Sequence, residues 1–325
     1  MQVKETRVSV IVVNFNGMPH IDVCLSSVLK QTYSNFEVIF VDNKSTDGSL
    51  EHAKNKFPQL TFVANDENLG YAGGINAGLV RATGKYIAPL NMDTEVSVDW
   101  LRHLVSFLDE NAFAGAVTPK VLLFHERDTI NAMGSNIHVS GLGFCRGLGK
   151  KDNNLTLPEK VSGVSGCSYL IRRELLERMG GLPQECFMAN DDVVVSWLVH
   201  LMGYDTYCVP LSVAYHKYNL KMNPEKFFLL ESNRYVLLLT ALKIPTLVIC
   251  FPVFAVTELL IIGYCLRRGM RYIDSKYKAF VSICRESRHI RERRSQVQRL
   301  RRVSDLHILR KMKLNLEWGQ LLHIV

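Results

Sequence analysis

The chain has no C-x-x-C pair, no internal repeat and no low-complexity tract. Its eight cysteines are Cys24, Cys145, Cys167, Cys186, Cys208, Cys250, Cys265 and Cys284, scattered without paired spacing. Several lie inside apolar runs, where a free thiol behaves as a small hydrophobe, so a reduced, cytosolic environment is expected. Met1–Arg7 is short and charged and leads straight into a strand, so no signal peptide is expected. The sequons at Asn43 and Asn154 are then chance matches. Basic residues are scarce in most of the chain. Arg267–Lys313 holds 16 Lys and Arg against 4 Asp and Glu, a local +12, and the remainder has 23 against 27, or −4. This basic stretch contains no nucleic-acid-binding module, so a nucleic-acid partner is not expected. What is present over 325 residues, 47% hydrophobic and 22% charged, is ordinary globular composition. It suits one large α/β domain with an appendage, or two modest domains.

Val8–Val13 is a short β-branched run of the kind buried in a parallel sheet. The pattern then predicts a helix from about His20 to Lys30, a strand at Glu37–Asp42, and turn and N-cap residues at Asn43–Gly48. A helix ending near Phe57 comes next. A strand at Leu60–Ala64, a helix at Gly73–Ala82 and a strand at Tyr86–Leu90 follow. Alternation at this spacing implies right-handed βαβ units and a doubly wound sheet. Beyond it the pattern predicts a helix at Val98–Asn111, a strand at Ala114–Pro119 and a polar, Gly-rich hairpin excursion over Leu122–Lys151. A strand at Val164–Ile171, helices at Arg173–Met179 and Asp191–Met202, a strand at Asp205–Val209 and a helix at Asn223–Leu242 complete the reading.

Three of the first four strands end in polar groups, at Asn14 and Asn16, at Asp42, and at Asn91 and Asp93. Open α/β sheets bind ligands at such carboxyl ends. Asp42 can accept the imide N–H of uracil or thymine, or cap the turn that follows it. Asn68-Leu69-Gly70-Tyr71-Ala72-Gly73-Gly74, with Asn76 behind it, places small residues at a helix start. There backbone N–H groups and the positive helix end can approach an anion, although the same glycines suit a plain tight turn. Adjacent Asp191 and Asp192 repel each other, which raises one pKa and makes a proton acceptor available. Asn190, Asp191 and Asp192 are equally good helix-start residues. Asn14–Met18 holds no cation, which argues against a sugar-1-phosphate nucleotidyltransferase, whose loop after the first strand needs Arg and Lys. A carbohydrate-binding or scaffold protein is the non-enzymatic alternative.

Taken in order, Val10–Gly17, Val41–Gly48, Asn68–Gly78, Tyr86–Thr94, Gly166–Arg173 and Gly180–Trp197 resemble glycosyltransferase family 2, and within it the rhamnosyltransferase-like branch. The resemblance covers about residues 7–240. It implies an α/β fold of GT-A type, a doubly wound mixed sheet, with a C-terminal helical, membrane-associating extension. The catalytic domain would be 1–242 (a nucleotide-binding half 1–95 and an acceptor half 96–242), and the C-terminal region 243–325. The implied activity is inverting transfer from a nucleoside diphosphate sugar, UDP or dTDP rather than GDP, to a lipid-linked or polysaccharide acceptor. By the same resemblance Asn14, Asn16, Asp42, Asn68, Gly70, Gly73, Asn76 and Asn91 would bind the nucleotide sugar. Asn91-Met92-Asp93 stands at the D-x-D position, so Asp93, with His216 of Ala214-Tyr215-His216-Lys217, would hold Mg²⁺ or Mn²⁺ against the diphosphate. Asp192 stands at the catalytic base and Asp191 at the neighbouring Glu. Two positions depart from the pattern: Val194 replaces a second Asp, and Leu198 stands where an Arg is expected.

Ile244–Leu266 is 23 residues with a single charge, Glu258. The length suits a membrane span. A span would, however, put the catalytic half and the basic stretch on opposite sides of a bilayer, against the preference of positive segments for the cytoplasmic side. Pro245 and Pro252 also interrupt a straight helix. The expectation is that residues 244–313 dip into one leaflet or lie at the surface on the cytoplasmic face of the cell membrane, arginines on anionic headgroups. The other reading is a core helix packed on the catalytic domain.

Overall fold

The computed structural model describes residues 7–183, 187, 189–218 and 222–323. Cys186, most of Met1–Arg7 and parts of the Gly180–Trp197 motif therefore lie outside the described residues. β1 (Val8–Asn14), α1 (Ile21–Leu29), β2 (Phe36–Asp42), α2 (Ser49–Lys56), β3 (Thr61–Ala64), α3 (Gly70–Leu79) and β4 (Tyr86–Asn91) form the expected alternation. β2 and then β3 extend the sheet on one side of β1, and β4 pairs with the other side, all in parallel. The winding reverses between β1 and β4, so a crevice opens where Asn14 and Asn91 end those strands. β1 shows why its sequence is apolar except at Ser9 and the terminal Asn14. Val8, Val10 and Val12 enter the hydrophobic cluster on the α1 side, and Ile11 enters the one on the α3 side, all without solvent exposure.

The second half comprises β5 (Thr94–Val96), α4 (Trp100–Glu110), β6 (Ala114–Leu123), β7 (Ile130–Ala132), β8 (Ser135–Ile137), β9 (Gly143–Cys145), β10 (Glu159–Val161), β11 (Leu170–Arg172), α5 (Arg173–Met179), α6 (Asp191–Leu201) and β12 (Asp205–His216). Among the described residues the sheet runs β10-β12-β6-β11-β4-β1-β2-β3, with β11 antiparallel to both β4 and β6. The strand expected at Val164–Ile171 shrinks to β11, because Ser168 N–H turns back to the Ser165 carbonyl (3.2 Å). β12 runs past the expected end at Val209 to His216, through a register break between Val209 and Val213. Pro210 marks that irregularity, and a proline inside a strand pattern argues against continuing it.

α7 (Pro224–Ala241) is followed by α8 (Ile244–Ile249), α9 (Phe251–Arg268), α10 (Met270–Arg285), α11 (Ser287–Leu300), α12 (Asp305–Leu309) and α13 (Trp318–His323). The long apolar run is thus two helices that meet at Cys250, with Pro245 and Pro252 each in a first turn, where no N–H is needed. Among the described residues no helix is long and apolar enough to cross a membrane. α9 has two different sides. Thr257, Ile261 and Cys265 are buried, whereas Phe251, Leu259 and Leu266 are 66%, 69% and 66% exposed. Its one acid turns inward: Arg234 of α7 and Lys276 of α10 both bond Glu258. Arg234 also grips Glu231 at 2.9 and 2.8 Å. Burial alone would raise the Glu258 carboxyl, but the Arg234 charge and the hydrogen bonds from Arg234 and Lys276 hold it at about 2. Val297, Ile308 and Met312 then join the main core beneath α6 and α7.

Candidate active site

A cleft of about 610 Å³ opens at the carboxyl ends of β1 and β4. Asn16, Asn68, Gly70, Asn91, Asp93, Asp191 and Asp192 line it, so seven of the expected site residues, distant in the chain, meet there. Asn14, Asp42, Gly73, Asn76 and His216 are not among its lining residues. Each of the five has a specific partner or packing neighbour instead.

Asp42 is only 2% exposed. Its Oδ1 accepts from Asn14 Nδ2 at 2.7 Å, and its Oδ2 caps the next turn by accepting from Ser45 N–H at 2.9 Å. Asn14 also donates to Ser49 Oγ at 2.8 Å. The two side chains thus lock β1 to β2 and sit back from the cleft. The neighbouring Asn43 lines the cleft instead, donating to the Gly70 carbonyl at 2.8 Å. Asn76 bonds both the carbonyl (2.8 Å) and the N–H (2.7 Å) of Leu182 and so clamps that loop to α3. Gly73 lies against Leu69, whose Cβ would be 2.6 Å from any added Cβ. Gly70 is required twice over. Its φ is +69°, and an added Cβ would stand 2.3 Å from the Phe187 carbonyl oxygen, which accepts from Tyr71 N–H at 2.6 Å.

Asp93 and His216 are brought together by strand pairing. Thr94 at the start of β5 pairs with His216 at the end of β12, and Lys217 N–H donates to the Asp93 carbonyl at 3.0 Å. His216 Nε2 then lies 3.3 Å from Asp93 Oδ1. Its Nδ1 donates to Asn131 Oδ1 at 2.9 Å, which fixes the ring. Burial works to raise the Asp93 carboxyl, yet the His216 hydrogen bond and charge bring it below the usual carboxylate range. Beside them, His20 Nδ1 stands 3.1 Å from the Lys217 ammonium. Among the described residues no third His, Cys, Asp or Glu joins Asp93 and His216.

The opposite wall is the start of α6. Asn190, at φ +68°, turns the chain so that Asp191 and Asp192 open the helix. Asp192 Oδ2 accepts from Gly166 N–H at 3.1 Å, and its Oδ1 from Val193 N–H at 2.9 Å. The Oδ2 of Asp191 is buried with no hydrogen-bond partner among the described residues. Burial first, and then the Asp192 charge, push the Asp191 carboxyl well above its ordinary range. Burial also raises Asp192, against the hydrogen bonds it accepts. The pair therefore carries its first charge on Asp192, the member with two N–H donors. One turn on, Val194 and Leu198 are both buried in the main core. The Asp and Arg that the family resemblance places there are replaced by two apolar core residues.

Other lining residues carried no readable signal. Gln320 reaches the cleft from the C-terminal end of the chain and bonds Cys145 of β9 twice, N–H to Oε1 at 2.9 Å and Nε2 to the carbonyl at 2.7 Å. His20, Tyr218 and Lys226 also line the cleft. The residues around Ala214-Tyr215-His216-Lys217 could have pointed to Tyr218, which follows them directly.

A mixed sheet with its cleft at this crevice is the GT-A fold. Two solved structures share it. GalNAc-T7 with UDP, GalNAc and Mn²⁺ gives a TM-score of 0.60 at 17% identity, covering 74% of this chain and 48% of that one. The mannosyltransferase PcManGT of Pyrobaculum calidifontis with GDP-Man and Mn²⁺ gives 0.55 at 24% identity, covering 73% and 64%. The profile of Glycosyl transferase family 2 matches residues 9–180, more than half of the chain, and the chain belongs to that family. An uncharacterized glycosyltransferase of Haemophilus influenzae is 33% identical over 165 residues, 50% of this chain and 41% of its own length. A poly-beta-1,6-N-acetyl-D-glucosamine synthase of Staphylococcus aureus is 25% identical over 203 residues, 62% of this chain and 47% of its own. The chain spans less than half the length of these two relatives.

Proposed function

We propose that the chain is an inverting, divalent-cation-dependent glycosyltransferase that moves a sugar from a nucleoside diphosphate to a hydroxyl of a glycan or lipid-linked glycan. One observation carries this reading: Asp93, braced by His216, and Asp192, beside the buried Asp191, open into the same cleft. Asp93 and His216 fit a cation. They bring an oxygen and a nitrogen donor together, and Asn131 orients the imidazole from behind. This mixed donor pair suits Mn²⁺ more than Mg²⁺, and both solved neighbours contain Mn²⁺. When bound, the cation would neutralise charge on the departing diphosphate.

The chain's own residues do the remainder. Asp192 takes the proton of the acceptor hydroxyl as that oxygen bonds to the anomeric carbon. The bond from this carbon to the diphosphate oxygen breaks on the opposite face, and the nucleoside diphosphate leaves with the electron pair. Asn16 and Asn68 line the cleft and offer side-chain N–H groups to the donor, while the first two N–H groups of α3 are taken by Asn68 and the Phe187 carbonyl. Because Asp42 is committed to Asn14 and Ser45, the donor test has to span UDP, dTDP and GDP sugars. The exposed apolar side of α8 and α9, next to the basic stretch, supports work at the cytoplasmic face of the cell membrane. The poly-N-acetylglucosamine synthase relative supports a role in glycan assembly.

The test is nucleotide release and sugar transfer across the three donor classes, with and without Mn²⁺, with product anomers assigned by NMR. Turnover that needs Mn²⁺, Asp93 and Asp192 and inverts the anomeric carbon is expected. A protein that shows neither turnover nor a metal-dependent thermal shift with any donor would overturn the reading.

A further inference from the structure

A second cavity, of about 100 Å³, adjoins the cleft and shares Phe144, Met222 and Leu230 with it. Phe227 and Leu230 of α7 face Leu260, Ile261 and Tyr264 of α9 across it. Its two charged wall residues, Glu231 and Arg234, are bonded to each other and to Lys276 and Glu258, so their charges are matched within the protein. Apart from Asn190, shared with the cleft, and the Tyr264 hydroxyl, the remaining side chains of the wall are apolar, so a hydrocarbon chain, which needs no hydrogen bonds, suits it better than a sugar ring.

α9 has this cavity on one side and open solvent on the other. Leu259, Ile262 and Leu266 stand exposed on that outer side, and the helix ends in Arg267 and Arg268. An apolar strip edged by arginines suits the surface of an anionic bilayer. The cavity therefore lies between a hydroxyl-activating cleft and a surface suited to lipid. We infer that it takes the apolar stem of a lipid-linked acceptor, whose sugar then reaches Asp192. This inference rests on the glycosyltransferase reading for the identity of the acceptor, but the cavity's preference for hydrocarbon does not.

Calorimetric titration of the full chain, without donor, with methyl, butyl, hexyl and octyl β-D-glucosides below their micellar concentrations tests it. Each buried methylene should tighten binding about fourfold, with the gain levelling off once the cavity is full. Leu260→Trp, which fills the cavity, should abolish the chain-length dependence. Leu259→Asp, on the outer side of the same helix, should leave it intact. Equal affinity along the series overturns the inference. So does a dependence that survives Leu260→Trp and vanishes in Leu259→Asp, which would put the chain on the outer surface. Should Leu260→Trp fail to fold, an octyl glucoside with a terminal diazirine serves with the unmodified protein. Labelling at Phe227, Leu230, Leu260, Ile261 or Tyr264 supports the cavity, and labelling confined to Leu259, Ile262 and Leu266 or to α8 or α10 overturns it. Nucleotide release, measured separately, reports on sugar transfer alone, so the two readings can fail independently.

Discussion

His216 Nε2 stands 3.3 Å from Asp93 Oδ1 while Asn131 holds its other ring nitrogen at 2.9 Å. The two residues are more than a hundred positions apart and meet only because β5 pairs with the far end of β12. With Nδ1 held by Asn131, the ring turns Nε2 toward Asp93, so the two side chains stand close enough to share one cation. Loss of Asp93 removes the anionic donor, and Asp93→Ala should lower kcat about 10²–10³-fold. Asn131→Ala leaves both donors but frees the ring, and about a tenfold loss is expected from such a supporting group. Titration of Mn²⁺ in the presence of the nucleoside diphosphate should show weaker cation binding in both variants. Unchanged cation affinity in Asp93→Ala would remove the pair from any role in holding a metal.

Asp191 and Asp192 separate by environment. Both carboxyls are raised by burial, and Asp191 is raised further by the charge beside it. Transfer should therefore rise with pH as Asp192 ionises, and Asp192→Asn should lose about 10²–10⁴-fold in kcat with donor affinity retained. Stability moves the other way. A carboxyl raised in the folded state favours folding when protonated, and that contribution is lost as pH rises through the folded value. Asp191→Asn needs no proton, so it should melt higher than the wild type at pH 8. Each kcal/mol regained should shift Tm by about 2–4 °C. The difference should narrow on acidification, where wild-type Asp191 is protonated. Scanning calorimetry at several pH values reads both effects.

How much of this the sequence revealed depended on whether a residue's role was local. β1 announced itself because a strand buried on both faces must be largely apolar, and the glycine at position 70 because its turn tolerates no side chain. The second half of β12 was hidden by the break at Pro210, although His216 beyond it was still recognisable from its motif. Asp42 was expected to bind a base, with a turn cap as the alternative, and only the positions of Asn14 and Ser45 show which bonds it makes. Asn76 gave no hint of its clamp on Leu182, which lies 106 residues away. The apolar run 244–266 was ambiguous for a physical reason, since one side of α9 packs inside and the other does not.

Gln320 lies 175 residues from Cys145, yet its amide satisfies both backbone groups of that residue beside the cleft. Glu317 adds a bond from Asn136 Nδ2 at 2.7 Å. The C-terminal segment thus braces the β8–β9 hairpin, which forms the wall nearest α6. Gln320→Ala, or truncation after Leu316, should loosen that wall without touching Asp93 or the start of α3. The expected outcome is a several-fold higher acceptor KM with donor KM within about twofold, and a stability loss of about 1–2 kcal/mol for two neutral hydrogen bonds. An equal rise in both KM values would mean that the segment supports the whole cleft.

Glu258 tests how the apolar helix is held. It bonds Arg234 and Lys276, and Tyr235 donates to its Oε2 at 2.7 Å, so one carboxylate fastens α9 to both α7 and α10. Glu258→Gln keeps the shape and removes the charge, leaving two cations with Glu231 as their remaining partner. Breaking a fully buried pair costs about 3–5 kcal/mol. Glu258 keeps part of its surface in water, so about 2–3 kcal/mol is expected, read as a lower urea midpoint at unchanged slope. The pH dependence gives the sign independently. A carboxyl held down from its ordinary 4.5 to about 2 stabilises the fold fully above the higher value and loses that contribution as pH falls toward the lower. The gap between wild type and variant should therefore be constant near neutrality and close under acid. A gap that persists below pH about 2 would mean that α9 is held by packing and not by this charge.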